Sequence, residues 1–323
     1  MTLRSIFLPL VPALLCAAPA LASEDAALAE VVADAGAEEQ AEVAVSVQSA
    51  PQQSQPGGAP PTFAFTKPVF DDTWATIGLG VGMVPSYAGS DDYIAFPLPL
   101  IVGRVAGMGI SPNGPGFLID LNPGKPGLAP QKGARIAFGP AFRFRNDRNV
   151  QIKDEVVARA GKLDAALEVG GHVSVAWRGI FKPVDQLGVG VQARRDVLGA
   201  HGGLVIEPQV TYRAPIGKAI VLQAQMSAEF VDDSFAEYYF TINPAQALAT
   251  GLPQFRADGG LNRIGTTAIL SYDLDRNPLN GGWSVTGVGG ISRLLGDSAD
   301  TPFTAQRGDA NQFILGLGLA YTF

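Results

Sequence analysis

The chain has 323 residues and only two histidines, and neither sits where catalysis would need it. His172 lies two residues from Ser174 in "VGGHVSVAW", so on an extended chain the two share a face, as a base and its nucleophile could. A hydrolytic site also needs a third, orienting group beside them, and the sequence supplies none. His201, in "LGAHGG", belongs to a loop. Acid pairs such as Asp91-Asp92 and Asp232-Asp233 read as solvated loop charges rather than as a calcium site. "GLGVG" at 78–82 has the look of a phosphate-binding loop. However, no helical pattern follows it, and its glycines alternate with Leu79 and Val81, which is a strand with one bare face. The expectation is no enzyme, with no catalytic residue, metal or cofactor, and the absence of a basic stripe argues against nucleic acid as a partner.

The elements that carry these residues are written in period two. In the C-terminal "QFILGLGLAYTF", Phe313, Leu315, Leu317, Leu319, Tyr321 and Phe323 alternate with small residues. From Lys162 to Arg178 the apolar face carries Leu167, Val169, Val173, Val175 and Trp177, and the polar face carries Glu168, His172, Ser174 and Arg178. Ile136, Phe138, Phe142 and Phe144 likewise oppose Arg135, Arg143 and Arg145. Leu204, Ile206 and Val210 oppose Glu207, Gln209 and Arg213, while Leu222, Met226 and Phe230 oppose Gln223, Gln225 and Glu229. A polar inside and an apolar outside, repeated along the chain, predict an all-β, transmembrane, antiparallel up-and-down barrel in which every backbone group finds a strand partner. Charge is sparse at 16% of residues, and no apolar run after the N-terminus reaches the ~18 residues of a spanning helix.

Strands are expected to begin near 73, 93, 105, 115, 133, 163, 185, 202, 218, 263, 281 and 312. That makes about twelve, with ten as the alternative because Ile94 to Asn122 is weakly patterned. With both termini in the periplasm, the short links "RGIFKP", "APIG" and "DRNPLN" fall inside. The long segments Asn146 to Gly161, Val231 to Asn262 and Leu294 to Asn311 fall outside. Pro97 and Pro99 in "FPLPL" would each delete a ladder donor and are expected near a rim or bend. The lumen residues Arg135, Arg143, Glu168, His172, Arg178, Glu207, Arg213 and Glu229 form the expected polar network, its ions pairing with one another.

Residues 1–22 read as a signal peptide, with Arg4, an apolar run from Ile6 to Ala18 and a small-x-small site before cleavage near Ala22. Cys16 follows Leu15, where lipid attachment wants a small residue, so a lipoprotein is the weaker reading. Residues 23–66 form an acidic, Ala/Pro/Gln-rich leader expected to be disordered. It holds seven of the 30 acids, leaving 23 acids against 22 bases in the barrel region 67–323.

Particular stretches look familiar. "VGMVPSYAGSDDYIAFPLPLI" (81–101), "GAHGG" (199–203), "VDDSFAEYYFTINPAQALATGLPQFRADGG" (231–260) and "ISRLLGDSADTPF" (291–303) resemble the family of MltA-interacting protein and the outer membrane protein OmpV. The resemblance runs from about Trp74 to Phe323 and implies a barrel in the Gram-negative outer membrane. It further implies a scaffold that holds a lytic murein transglycosylase beside a bifunctional murein synthase during peptidoglycan assembly. Other members are described as porin-like or adhesive, so a small-solute channel and an adhesin are the alternatives. The motif residues Tyr87, Gly89, Ser90, Asp91, Tyr238, Tyr239, Phe240 and Pro244 fall in or near outer loops, where their expected role is packing. Thr241 stands where family members usually have glycine. Tyr321 and Phe323 resemble the C-terminal signal read by barrel-insertion machinery. Outer-membrane lipid and that machinery are thus implied partners, and murein enzymes would meet the turns near 179–184, 214–218 and 275–281, or the leader.

Overall fold

The computed structural model describes residues 69–71, 73–124, 133–149 and 151–323. The expected signal peptide (1–22) and leader (23–66) lie outside them. Alternation becomes twelve strands: β1 (Trp74–Pro85), β2 (Tyr93–Val105), β3 (Met108–Pro112), β4 (Gly116–Asp120), β5 (Ala134–Arg145) and β6 (Ala166–Arg178), then β7 (Gln186–Asp196), β8 (Leu204–Ile216), β9 (Ile220–Val231), β10 (Gly260–Asp273), β11 (Gly282–Leu294) and β12 (Asn311–Thr322). Each pairs antiparallel with its neighbour in sequence, and β1 also pairs with β12, so the barrel closes.

Closure explains the glycines of the first and last strands. The ladder sets Gly78 opposite Ala320, Gly80 opposite Gly318 and Gly82 opposite Gly316. A Cβ on Gly80 would lie 2.8 Å from the Gly318 Cα, so the lumen face of this seam has no room for side chains. The outward face of the same strands is the reverse: Leu79, Leu315 and Leu317 are 64–68% exposed. Water would penalise that surface by roughly 25 cal/mol per Å², and hydrocarbon would not. Trp283, Tyr321 and Phe323 gather at the end that carries both strand termini, with ring centroids 5.2 and 6.4 Å apart. They form part of an aromatic girdle.

Links at that end, the one expected to face the periplasm, are mostly short: 106–107, 179–185, 217–219 and 274–281. Those at the outer end include the long segments 146–165, 232–259 and 295–310, which the sequence presents as loops. In the structure they carry α1 (Glu155–Ala158), α2 (Asp233–Phe240), α3 (Pro244–Thr250), α4 (Asp297–Asp300) and α5 (Pro302–Ala305). Local signals place two of these helices: Asp232 caps α2 by accepting the Phe235 N–H at 3.0 Å. Asn243 and Gln246 form a reciprocal capping box on α3, which starts at Pro244 and ends at Gly251 with φ 75°.

Strands β3 and β4 break the length pattern. Each has five residues against the ~9–11 that cross a bilayer. The hairpin they form reaches the outer end of β5, where the Phe144 N–H donates to the Pro115 carbonyl at 3.0 Å, but it meets β2 only at Gly103, Arg104 and Val105, and its own link is three residues, 113–115. Pro97 and Pro99 are not near a rim or bend: they are the fifth and seventh residues of the thirteen in β2. The strand beginning at Ala166 is also shorter than its pattern suggests, because Leu163 packs against the buried core of the outer segments rather than facing lipid.

Candidate functional site

The strands β5 to β9 aim charged side chains into the outer half of the lumen, where six of them close a ring. Arg145 Nε donates to Glu168 at 2.7 Å and its Nη2 to Glu229 at 2.9 Å. Arg143 Nη1 lies 3.6 Å from Glu229 and 2.8 Å from Glu207. Arg194 Nη2 then reaches Glu207 at 3.0 Å, and its Nε returns to Glu168 at 3.1 Å. Positive and negative charges alternate around the ring and cancel, and each group has two partners of opposite sign. A buried charge is tolerated only when paired and hydrogen-bonded in this way. Neutral amides complete the shell. Asn262 Nδ2 donates to Glu229 at 2.6 Å, and Asn113, at the tip of the β3–β4 hairpin, exchanges bonds of 2.8 and 3.1 Å with Gln192 while accepting from Arg143 at 2.7 Å.

Four of the lumen residues expected to form the polar network, Arg143, Glu168, Glu207 and Glu229, thus meet in the ring. Arg135 instead pairs with Asp120 at 2.7 Å near the periplasmic end. Arg178 stands at the periplasmic end of β6. Arg213 lines a lumen cavity of about 110 Å³ with Leu100, Val102, Pro112, Val221 and Asp273. His172 Nε2 lies 3.1 Å from the Ile119 carbonyl. Among the described residues no cluster of three or more His, Cys, Asp or Glu could hold a metal. Arg194 and Gln192 escape a reading by composition because "QARRD" offers two adjacent arginines. Val189 and Val191, outward and exposed, fix the parity that sends Gln192 and Arg194 inward.

Above the ring, the outer segments fold into a cap. One buried cluster joins Phe235, Ala236, Tyr239 and Phe240 of α2 to Val205, Val231 and Ala257. The other joins Tyr87, Val157, Ile242, Leu252 and Phe303. Cap and ring touch directly: the Arg145 guanidinium lies 4.8 Å over the Phe235 ring, and His201 packs between Phe235 and Tyr239 at 4.9 and 5.5 Å. His201 Nδ1 accepts from Gly203 N–H at 3.1 Å, so in its neutral form the proton is on Nε2, which faces Glu168 at 3.5 Å.

The motif residues are parts of this cap. Tyr87 donates its hydroxyl to the carbonyls of Arg307 and Phe303 at 2.9 and 3.2 Å. Gly89, at φ 97°, packs against Thr304, where a Cβ would collide. Ser90 bonds Ser86 at 2.9 Å, and Asp91 is exposed. The Tyr238 hydroxyl accepts from Asp164 N–H at 2.8 Å, and the Phe240 carbonyl accepts from Thr301 at 2.7 Å. Thr241 sits in extended backbone at φ −70°, so the position does not require glycine, and its Oγ1 accepts from Ala257 N–H at 3.0 Å. Burial, with Asp154 nearby, pushes the Tyr87 hydroxyl above its ordinary pKa, and burial does the same to Tyr239. Arg148, 2% exposed, stacks 4.6 Å over Phe303, and burial lowers its pKa.

At the periplasmic end the β6–β7 turn is held by Asp185, whose carboxylate accepts from the amides of Ile180, Phe181 and Lys182 at 2.8, 2.9 and 3.0 Å and from the Tyr212 hydroxyl at 3.0 Å. Burial opposes ionisation of Asp185, and these donors outweigh it, holding the carboxyl below its usual range. The turn presents Phe181, 73% exposed.

Among solved structures, this barrel is similar to an outer membrane channel from Pseudomonas putida F1, at 14% identity and TM-score 0.38 over 83% of this chain and 100% of that one. The CymD monoaromatic hydrocarbon channel matches at 8% and 0.31 over 77% and 87% of the two chains. The outer membrane channel DcaP of Acinetobacter baumannii matches at 8% and 0.30 over 78% and 96%. No curated protein matches. The family model described as MltA-interacting protein MipA spans residues 77–323, which takes in the whole cap and every strand except the first three residues of β1, and the chain belongs to that family of outer-membrane barrel proteins.

Proposed function

We propose that this barrel is a non-enzymatic scaffold of the outer membrane that holds murein-synthesising and murein-cleaving enzymes through its periplasmic surface. The observation that carries the reading is the charge ring under the folded cap. Its fixed charges are already spent on one another, and a wide solute path would need them free to face water. The partner class comes from the family, whose name refers to interaction with MltA, and a lytic murein transglycosylase is therefore the first candidate. The Asp185-braced turn supports a docking role, because a partner meeting Phe181 would have no loop to order on binding.

The test is crosslinking in intact cells expressing the full chain, followed by purification and mass spectrometry. Recovery of a lytic murein transglycosylase or a bifunctional murein synthase, lowered by Phe181→Ser, is the expected result. Recovery of insertion machinery and abundant porins alone would overturn the reading. A small-solute channel is the second reading, favoured by the cavity lined by Arg213 and Asp273. Reproducible conductance steps in planar bilayers that change in Arg213→Gln would establish it, and silence would leave the scaffold.

A further inference from the structure

The barrel wall is incomplete beside β2. Strand β2 pairs with β1 at twelve positions, from Tyr93 to Arg104. On its other side it meets β3 at only three, Gly103, Arg104 and Val105. No strand lies in register against residues 93–102 on that side among the described strands, since the β3–β4 hairpin turns back at Asn113 and its Gly116 is already opposite Arg143 of β5.

The direction of the backbone groups follows from the closing seam. Ala75 exchanges both its bonds with Phe323 of the chain end, so odd residues of β1 point to β12 and even ones to β2. Gly80 and Gly78 therefore bond Leu98 and Leu100, and below the first residue of the strand, Tyr93, the odd residues of the unpaired stretch, namely Ala95, Pro97, Pro99 and Ile101, point into the open side. Two of those four have no N–H. The edge offers four carbonyls and only two amides, with none along its central stretch.

An unpaired strand edge costs several kcal/mol per group in hydrocarbon and is not left bare there. Strand addition from a second copy is a poor solution, because an added strand would present amide donors and carbonyls alternately and its carbonyls would find no donor at Pro97 or Pro99. Pro97 and Pro99 also lie four and six residues below Tyr93, roughly 10–20 Å along the strand and so beneath the headgroups. Behind the edge the lumen side of β2 is apolar: Phe96, Leu98, Leu100 and Val102 face inward, and the last two line the cavity of about 110 Å³.

We infer that the open side of β2 is a lateral binding slot for a small amphiphile dissolved in the bilayer, an alkyl or aryl alcohol or amine. Its hydroxyl or amine donates to one of the Ala95, Pro97 and Pro99 carbonyls, which recur about 7 Å apart along the strand, and its apolar body lies against Leu98 and Leu100. The assignment goes beyond the scaffold reading and does not depend on it. The test uses the purified full chain in phosphatidylethanolamine vesicles, photolabelled with a diazirine-bearing octanol and mapped by mass spectrometry. Residues 95–101 are expected to take about fivefold more label than the outward faces of β6 to β9, the preference one net hydrogen bond supports. The same probe lacking its hydroxyl should lose that preference, and Pro97→Ala with Pro99→Ala should shrink the difference between the two probes. Uniform labelling, or a preference indifferent to the hydroxyl, would overturn the inference, and the comparison of the two probes on the unmodified chain stands even if the double variant does not fold.

Discussion

Neutralising Glu168 is the sharpest way to ask whether the ring holds the outer half of the barrel together. Glu168 is fully buried and accepts from Arg145 and Arg194 at 2.7 and 3.1 Å. In Glu168→Gln the amide keeps the volume, but two buried guanidinium groups each lose one carboxylate and the ring carries a net positive charge. Breaking a buried ion pair by removing one partner costs about 3–5 kcal/mol. Arg145 retains Glu229 and Arg194 retains Glu207, so the low end, about 3 kcal/mol, is the expected loss. The assay is reversible urea unfolding of the reconstituted protein, with Asp258→Asn as the reference. That aspartate and Arg256 are 72% and 82% exposed and 3.9 Å apart, so its change should stay within ~0.5 kcal/mol. The double variant Glu168→Gln with Arg194→Gln restores neutrality and should recover at least about 1 kcal/mol of the summed single losses. A loss below ~0.5 kcal/mol for Glu168→Gln, or strict additivity in the double variant, would refute the claim that the ring is a coupled unit.

Gly89→Ala should loosen the cap by about 1–3 kcal/mol, since it demands φ 97° of a residue with a Cβ and drives that atom into Thr304; faster proteolysis of the outer segments on intact cells would register it. The cap should also respond to acid through Asp154, which accepts from Arg307 at 2.6 Å. Burial opposes ionisation of Asp154, but the Arg307 hydrogen bond and the Val157 and Val156 amides outweigh it, so its folded pKa lies below 3.8. The stabilisation is therefore whole above 3.8 and fades as pH falls through the lower folded value. Hydrogen exchange at α1 should quicken in that window, and Asp154→Asn should remove the dependence. Deleting Phe323 takes away both backbone bonds to Ala75, at 2.9 and 3.0 Å, and is expected to lower the membrane-inserted fraction in cells.

How far the sequence could be read followed from how far apart the determinants lie. Strands such as β6 and β12 are legible because lipid outside and lumen inside act on alternate residues, and the pattern is complete within a dozen positions. The weak region from Ile94 to Asn122 is weak for a physical reason. Strands β3 and β4 are too short to show a period, and their tip is held by Asn113 reaching Gln192, 79 positions on and across the lumen. The cap has no local period at all: Tyr87 and Phe303 share one cluster although 216 residues separate them. Arg194 is set locally, since Val189 and Val191 alternate outward along β7 and the same parity turns it into the lumen.

The lumen has two unlike walls, and the contrast makes ring and slot separable. On β5 to β9 the strands run eleven to thirteen residues and are braced from inside by six charges. On β12 and β1 the lumen face is glycine, and beside it β2 lacks most of one partner. Stiffness is thus concentrated on the wall that starts at β5, across the gap from β2, which suits a barrel that must keep its cap closed while leaving one edge of its sheet unpaired. The two walls should then fail independently: Glu168→Gln should loosen the cap and leave octanol labelling of residues 95–101 unchanged, while Pro97→Ala with Pro99→Ala should alter the labelling and leave proteolysis of the outer segments unchanged. If either change moves both readouts, the ring and the open edge belong to one cooperative unit, and the division into two walls is wrong.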